Sequence, residues 1–240
     1  MREQSRHKWG GHSPQLHLRP WLVGWLEKVV EIQKLSGTVR HLATYLLDIF
    51  MDHHFIQEGQ LQMVALGCLL IAAAKLEEKD GLIPKTSELN AHVNNCYNLS
   101  EFVRLELMLL HFFRWELMLP TAAHFVEIFS PFLSGERRLC HYISLFLDLS
   151  LQPVPTNAVV TGEALISMPP SLVAAACIAA ARSTLQLKPV WPGNLEKLTR
   201  YRLGQVRTLA NSLLLTACPV CLDPRSEEEG SPRSSSSSQL

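Results

Sequence analysis

No charge of either sign prevails in this sequence: 22 lysines and arginines stand against 22 aspartates and glutamates in 240 residues. Without a cationic surplus, no whole-chain field draws the protein to nucleic acid or to anionic lipid. A glycine-rich phosphate loop and a nucleophile motif are also missing, so phosphate-loop and acyl-transfer chemistries have nothing to be built on. Glu77 and Glu78 are neighbouring carboxylates, but successive residues of a helix point to different faces and do not converge on one substrate. Metal ligands are equally scarce. Cys218 and Cys221 form a CxxC with no second pair nearby to complete four ligands, and the histidines, His53 and His54 among them, lack an i, i+4 partner with an acid between. The sequence therefore predicts no enzyme activity, no small-molecule substrate, no metal and no cofactor.

The opening MREQSRHKWGGHS is polar and holds no apolar run, so a secretory signal is not expected. Cys68, Cys96, Cys140 and Cys177 stand alone, two of them inside the most apolar stretches, which fits packed, reduced thiols of an intracellular protein. The expected location is the nucleus, the cytoplasm or both.

What the chain does have is apolar helix. From Met63 to Ala74 the sequence is apolar or small on every side, rich in Leu and Ala and free of Pro, so Leu61 to Glu78 is expected to be a helix surrounded by protein. Its uninterrupted apolar length falls short of the roughly 20 residues a membrane span needs, and Lys75-Leu76-Glu77-Glu78 closes it. Pro20 fits only a first turn, which predicts a helix from about Arg19 to Ser36-Gly37, with Trp21, Leu22, Trp25, Leu26 and Val29 as its stripe. A second helix runs from Thr38 to about His53, a weaker one lies at 86–93, and SEFVRLELMLLHFFRWEL makes a fifth from a Ser100 cap.

After Pro120-Thr121 the order of helices starts again, at about 121–133, 136–151, 171–185, 195–201 and 203–217. SLVAAACIAAARSTL echoes VALGCLLIAAAKL in small-residue packing, with Cys177 in the place of Cys68. The fold expected is all-α: two similar five-helix bundles in tandem, the second shorter and less regular. The boundaries predicted are a disordered lead-in at 1–14, a first bundle at 15–118, a second at 119–217 and a disordered Ser/Glu-rich tail at 218–240. Within that tail Ser231-Pro232 is a candidate phosphosite for a proline-directed kinase.

Ala72, Lys75 and Leu76 lie at i, i+3 and i+4, so they share one helical face, and the Lys75 ammonium sits in the last turn, where the dipole favours a cation. Glu106 and Leu110 repeat the arrangement of one charge and one apolar neighbour on another helix. On spacing alone, an ordinary cationic helix end and a partner-binding edge both remain open. Asp48 lies between Leu47 and Ile49 in a helix apolar around most of its girth, where a buried carboxylate needs a partner; the alternative is a solvent-facing Asp.

In order along the chain stand L-R-x-x-L-V-x-W-L, Y-L-L-D-I-F, A-A-K-L-E-E, R-L-E and W-x-L-x-L-P-T. This series, covering nearly all of 18–121, resembles the cyclin family, whose fold is two five-helix boxes and whose first box holds the αC helix of a cyclin-dependent kinase. The resemblance implies that Lys75 and Glu106 are kinase-gripping charges, with Ala72, Leu76, Leu110 and Leu117 as the apolar shoulder between them. It pairs Arg19 with Asp48 across the first two helices. The groove with which some cyclins dock Arg-x-Leu peptides maps onto Leu18, Trp21, Leu22, Trp25, Leu61 and Gln62. Lys28 stands where that groove should carry an acid, and Trp21 is expected to fill part of the slot, so the groove reads as degenerate. The function implied is a non-catalytic subunit that activates a cyclin-dependent Ser/Thr kinase. The alternative is a cyclin-fold adaptor that binds other proteins, in transcription or as a scaffold, without activating a kinase.

Overall fold

The computed structural model describes residues 10, 13–77, 83–133, 135–152 and 165–217. The expectations for residues 1–9, for the CxxC at 218–221, for Ser231 and for most of the 152–170 link lie outside them. Among the described residues all regular structure is helical, and two separate apolar cores organise it.

The first core is enclosed by α1 (Arg19–Ile32), α2 (Gly37–His53), α3 (Leu61–Leu76), α4 (Thr86–Ala91) and α5 (Leu99–Phe112). α3 packs against each of the other four, as its apolar girth requires. With the turn before it, Glu58–Leu76 is long and apolar enough to cross a membrane by length and composition, but 67% of that stretch is buried inside the fold. α2 is more deeply sealed than a one-sided stripe implies, since Arg40, His41, Thr44 and Asp48 are buried alongside its apolar residues.

Gly67 lets α3 and α5 approach closely. A Cβ built there would meet Leu105 Cδ2 at 3.0 Å and Leu109 Cδ1 at 3.1 Å.

Several helix ends differ from the sequence expectation, those of α1 and α5 among them. α1 stops at Ile32 rather than near Ser36-Gly37, because Lys34 takes the left-handed conformation (φ 55°) and Leu35 N–H donates back to the Val30 carbonyl at 3.0 Å. That closure normally recruits glycine, so a lysine in its place gives no signal. α5 is capped by Asn98 rather than Ser100, with the Glu101 carboxylate accepting from Asn98 N–H at 2.7 Å in a reciprocal capping box.

The second core is enclosed by α6 (Ala122–Phe129), α7 (Arg137–Ser150), α8 (Pro170–Thr184), α9 (Gly193–Thr199) and α10 (Leu203–Thr216). α8 takes the place of α3 and packs against α6, α7 and α10. Cys68 and Cys177 are both fully buried, and burial pushes both thiols well above their ordinary range, as suits inert packing residues. The first helix of this bundle has 8 residues against 14 in α1, ending at Phe129 rather than near residue 133 as expected, because a 3-10 turn carrying Pro131 follows it.

Candidate partner-binding edge and the seam between the bundles

Lys75 occupies the last turn of α3 and projects into solvent, while Glu106 is half-buried midway along α5. Neither forms an ion pair with a described residue. Leu76, Leu110 and Leu117 are partly buried, each resting on the first core with one side left accessible. Two charges of opposite sign thus stand on adjacent helices with aliphatic surface beside them, an arrangement that fixes the orientation of a bound helix.

Ala72 does not belong to that surface. It is fully buried, one turn before the exposed end of the face it shares with Lys75 and Leu76, and an alanine is too short to reach out from there. The accessible small residue of that turn is Ala74.

Sequence spacing also overlooks Trp115. Arg114 and Trp115 both take left-handed conformations (φ 52° and 62°), Trp115 N–H closes onto the Leu110 carbonyl at 2.9 Å, and the indole is left exposed beyond the end of α5. Two consecutive non-glycine residues in that conformation leave no compositional trace. Glu77, considered above as a carboxylate neighbour, is instead employed locally, accepting from Ser36 N–H at 3.2 Å.

The residues mapped onto the degenerate groove lie at different depths. Leu22 and Leu61 are sealed in the core, Leu18, Trp25 and Gln62 are half-buried, and Lys28 is exposed. Trp21, expected to fill part of the slot, is 56% exposed at the first turn of α1.

Arg19 and Asp48 meet in a two-pronged pair, with Nε to Oδ1 at 2.7 Å and Nη2 to Oδ2 at 2.8 Å, and Asp48 is 2% exposed. Both carboxylate oxygens accept, so the acid is satisfied as an anion. Burial works against the charge on Arg19, but the adjacent carboxylate outweighs it and holds the guanidinium above its ordinary range. The third arm reaches the other bundle: Arg19 Nη1 donates to the Leu151 carbonyl at 2.7 Å.

A second arginine, Arg40, joins the same seam, with Nη1 on Glu27 of the first bundle and Nη2 on Asp148 of the second. Thr38 Oγ1 donates to Glu127 across the same boundary. His41 lies buried beside them, and burial first, then the Arg40 and His124 charges, push its imidazole down to about 3. Together with Thr44, Thr121 and Ser150 it lines a cavity of about 60 Å³ between the bundles.

Both halves of this architecture have counterparts among known proteins. The chain matches the cyclin N-terminal domain over residues 3–118 and the cyclin C-terminal domain over residues 120–228. The chain belongs to the cyclin family. It is 39% identical over 212 residues to Cyclin-J of Xenopus laevis, covering 80% of this chain and 53% of that protein. It is also 34% identical over 235 residues to the Cyclin-J-like protein of Mus musculus, covering 88% of this chain and 58% of that one. The chain thus spans little more than half the length of these curated relatives. Among solved structures, a viral cyclin from herpesvirus saimiri superposes with a TM-score of 0.67 at 20% identity, covering 84% of this chain and 86% of that one. A chain of the yeast RNA polymerase II CTD kinase complex CTDK-1 does so with a TM-score of 0.63 at 15% identity, covering 82% and 64%.

Proposed function

We propose that this chain is a regulatory subunit that binds a cyclin-dependent Ser/Thr kinase and activates it by holding the kinase αC helix in its active position. The observation that carries this reading is the accessible edge formed by Lys75 on α3 and Glu106 on α5, with Leu76, Leu110 and Leu117 beside them. Membership of the cyclin family supports it, as does the likeness in fold to a chain from a kinase complex.

The mechanism follows from what a kinase requires. Its β3 lysine must pair with the αC glutamate while the magnesium-binding aspartate is in place, so a partner that binds only the αC-in state enriches the active form. Moving a kinase from 1:99 to 99:1 takes about 5.5 kcal/mol of differential binding. An interface of ordinary size, about 1,600 Å² in total, can supply that. The chain contributes no reacting group; it selects a conformation.

The test is reconstitution with purified, monomeric cyclin-dependent kinases and a histone-type phosphate acceptor. The expected result is binding accompanied by a rise in phosphotransfer, both lost in Lys75→Ala with Glu106→Ala. Binding without stimulated transfer would replace this reading with that of an adaptor.

A further inference from the structure

His41, Thr44 and Asp48 fall at i, i+3 and i+7 of α2, so they share one flank, and that flank forms a wall of the cavity between the boxes. Most polar groups around the cavity have protein partners. Arg19 commits two arms to Asp48 and one to the Leu151 carbonyl. Thr121 Oγ1 lies 2.8 Å from His124 Nδ1, and Ser150 Oγ donates to the Leu147 carbonyl at 2.6 Å. Two groups differ. His41 Nε2 and Thr44 Oγ1 have no hydrogen-bond partner among the described residues, although His41 is only 4% and Thr44 only 1% exposed. A buried polar atom left single is destabilising and rare in native folds, and here two stand one turn apart on the same wall.

The charges nearby are matched: Arg19 by Asp48, and Arg40 by Glu27 and Asp148. Burial, aided by the Arg40 and His124 charges, pushes the His41 imidazole down to about 3, so it is neutral near pH 7. From the second box, Leu165, Met168 and Val173 line the cavity with aliphatic surface. At about 60 Å³ and partly open to solvent, it has room for a few waters or for one molecule of about four to six non-hydrogen atoms.

We infer that the cavity between the boxes is a binding site for a small uncharged molecule ending in a carboxamide or a hydroxyl, with that group on His41 Nε2 and Thr44 Oγ1 and a short aliphatic part against Leu165, Met168 and Val173. Either group offers a donor and an acceptor side by side, which a neutral imidazole nitrogen and a threonine hydroxyl together satisfy. An ion would surrender its hydration and meet no unmatched charge in return. Because the lining comes from both boxes, an occupant holds them together and raises the thermal midpoint. No lining residue comes from α3 or α5, so this site and the kinase-binding reading stand or fall separately.

The experiment titrates the full chain with isobutyramide and with 2-methyl-1-propanol to millimolar excess, followed by NMR of the imidazole protons and by thermal melting. Either probe is expected to shift the His41 ring signals saturably and to raise the midpoint. Isobutyrate and isobutylammonium, charged molecules of matching shape, should bind at least tenfold more weakly. Thr44→Val removes the hydroxyl at constant shape and should weaken isobutyramide about fivefold or more, while the midpoint of the free protein holds or rises, a combination that damage to the fold does not produce. Thr44→Ser should keep most of the affinity. Ser144→Ala, at an exposed position in a separate groove, should leave it unaltered. Absence of saturable binding by both probes, equal binding of the charged analogues, or unchanged affinity in Thr44→Val each overturns the proposal. If Thr44→Val does not fold, a crystal of the unaltered chain soaked in isobutyramide decides: the amide on His41 and Thr44 supports the site, and ordered water alone in that place overturns it.

Discussion

The central helices of the two boxes end on nearly the same words, Ile71-Ala-Ala-Ala-Lys75 and Ile178-Ala-Ala-Ala-Arg182, yet the two cations meet opposite fates. Lys75 stands exposed at the end of α3. Arg182 is buried at the end of α8, with Nε donating to the Val190 carbonyl at 3.1 Å and Nη2 to the Pro189 carbonyl at 2.9 Å. What differs is the chain that follows. After Arg182, Gln186 takes a left-handed conformation (φ 54°), Leu187 N–H closes onto the Arg182 carbonyl at 2.9 Å, and the loop folds back over the guanidinium. After Lys75 the helix simply runs out, with Glu77 in extended conformation. A cation at a helix end is left accessible in one box and clasps a loop in the other. This register also sets Cys177 opposite Leu70 rather than Cys68, so the two buried cysteines are similar in environment without being equivalent in position.

The two boxes are joined through Arg19, Arg40 and Thr38, and cutting the first of these should have the largest effect. Arg19→Ala removes both prongs on Asp48 and the donor to Leu151 of the second box. Stranding a buried carboxylate should cost about 3 to 5 kcal/mol, read as a lower thermal midpoint with both boxes affected.

Acid should attack the same seam more gently. His41 is held at about 3 against an ordinary 6.5, so the unfolded chain binds its proton first as pH falls. Its contribution to stability is complete above pH 6.5 and is lost on descending from 6.5 towards 3, at no more than about 1.4 kcal/mol per pH unit. Chemical denaturation at pH 7 and pH 5 should show the loss, and His41→Gln should flatten it.

The two helix-end cations should respond differently to removal. Arg182→Ala should cost about 1 to 3 kcal/mol, since two carbonyls lose charged donors, and should leave kinase binding unchanged. Lys75→Ala with Glu106→Ala should alter stability by less than about 0.5 kcal/mol per site, as accessible substitutions do, and yet abolish binding. Melting curves and interferometry on the same four proteins (unaltered, Arg182→Ala, the Lys75 and Glu106 pair, and all three changes together) would show whether the fates are as distinct as the geometry makes them.

Much of this fold was legible because its helices are long and strongly periodic. Asp48 could be singled out because a lone acid in an apolar run is conspicuous. Arg40 sits in the same helix and bridges both boxes, but it falls near the start, beside His41 and Thr38, where polar residues are ordinary. Ala72 was misplaced for a different reason: α3 is apolar all round, and such a helix gives no sign of which side another protein could reach. The ends at Ile32 and Phe112 were hidden because Lys34, Arg114 and Trp115 take conformations usually left to glycine.

Gly67 gives the surface charges a control that no partner touches. Any side chain there would press on the methyl ends of Leu105 and Leu109, which must give by a few tenths of an ångström, and α5 with them where the side chains cannot. Because Lys75 rides on α3 and Glu106 on α5, that displacement would be passed outward as a change in the gauge between the two charges, with both left chemically intact. A methyl group buried in the core could therefore act as a shim which, on the proposed kinase-binding reading, retunes the fit across the gap while every surface residue stays the same.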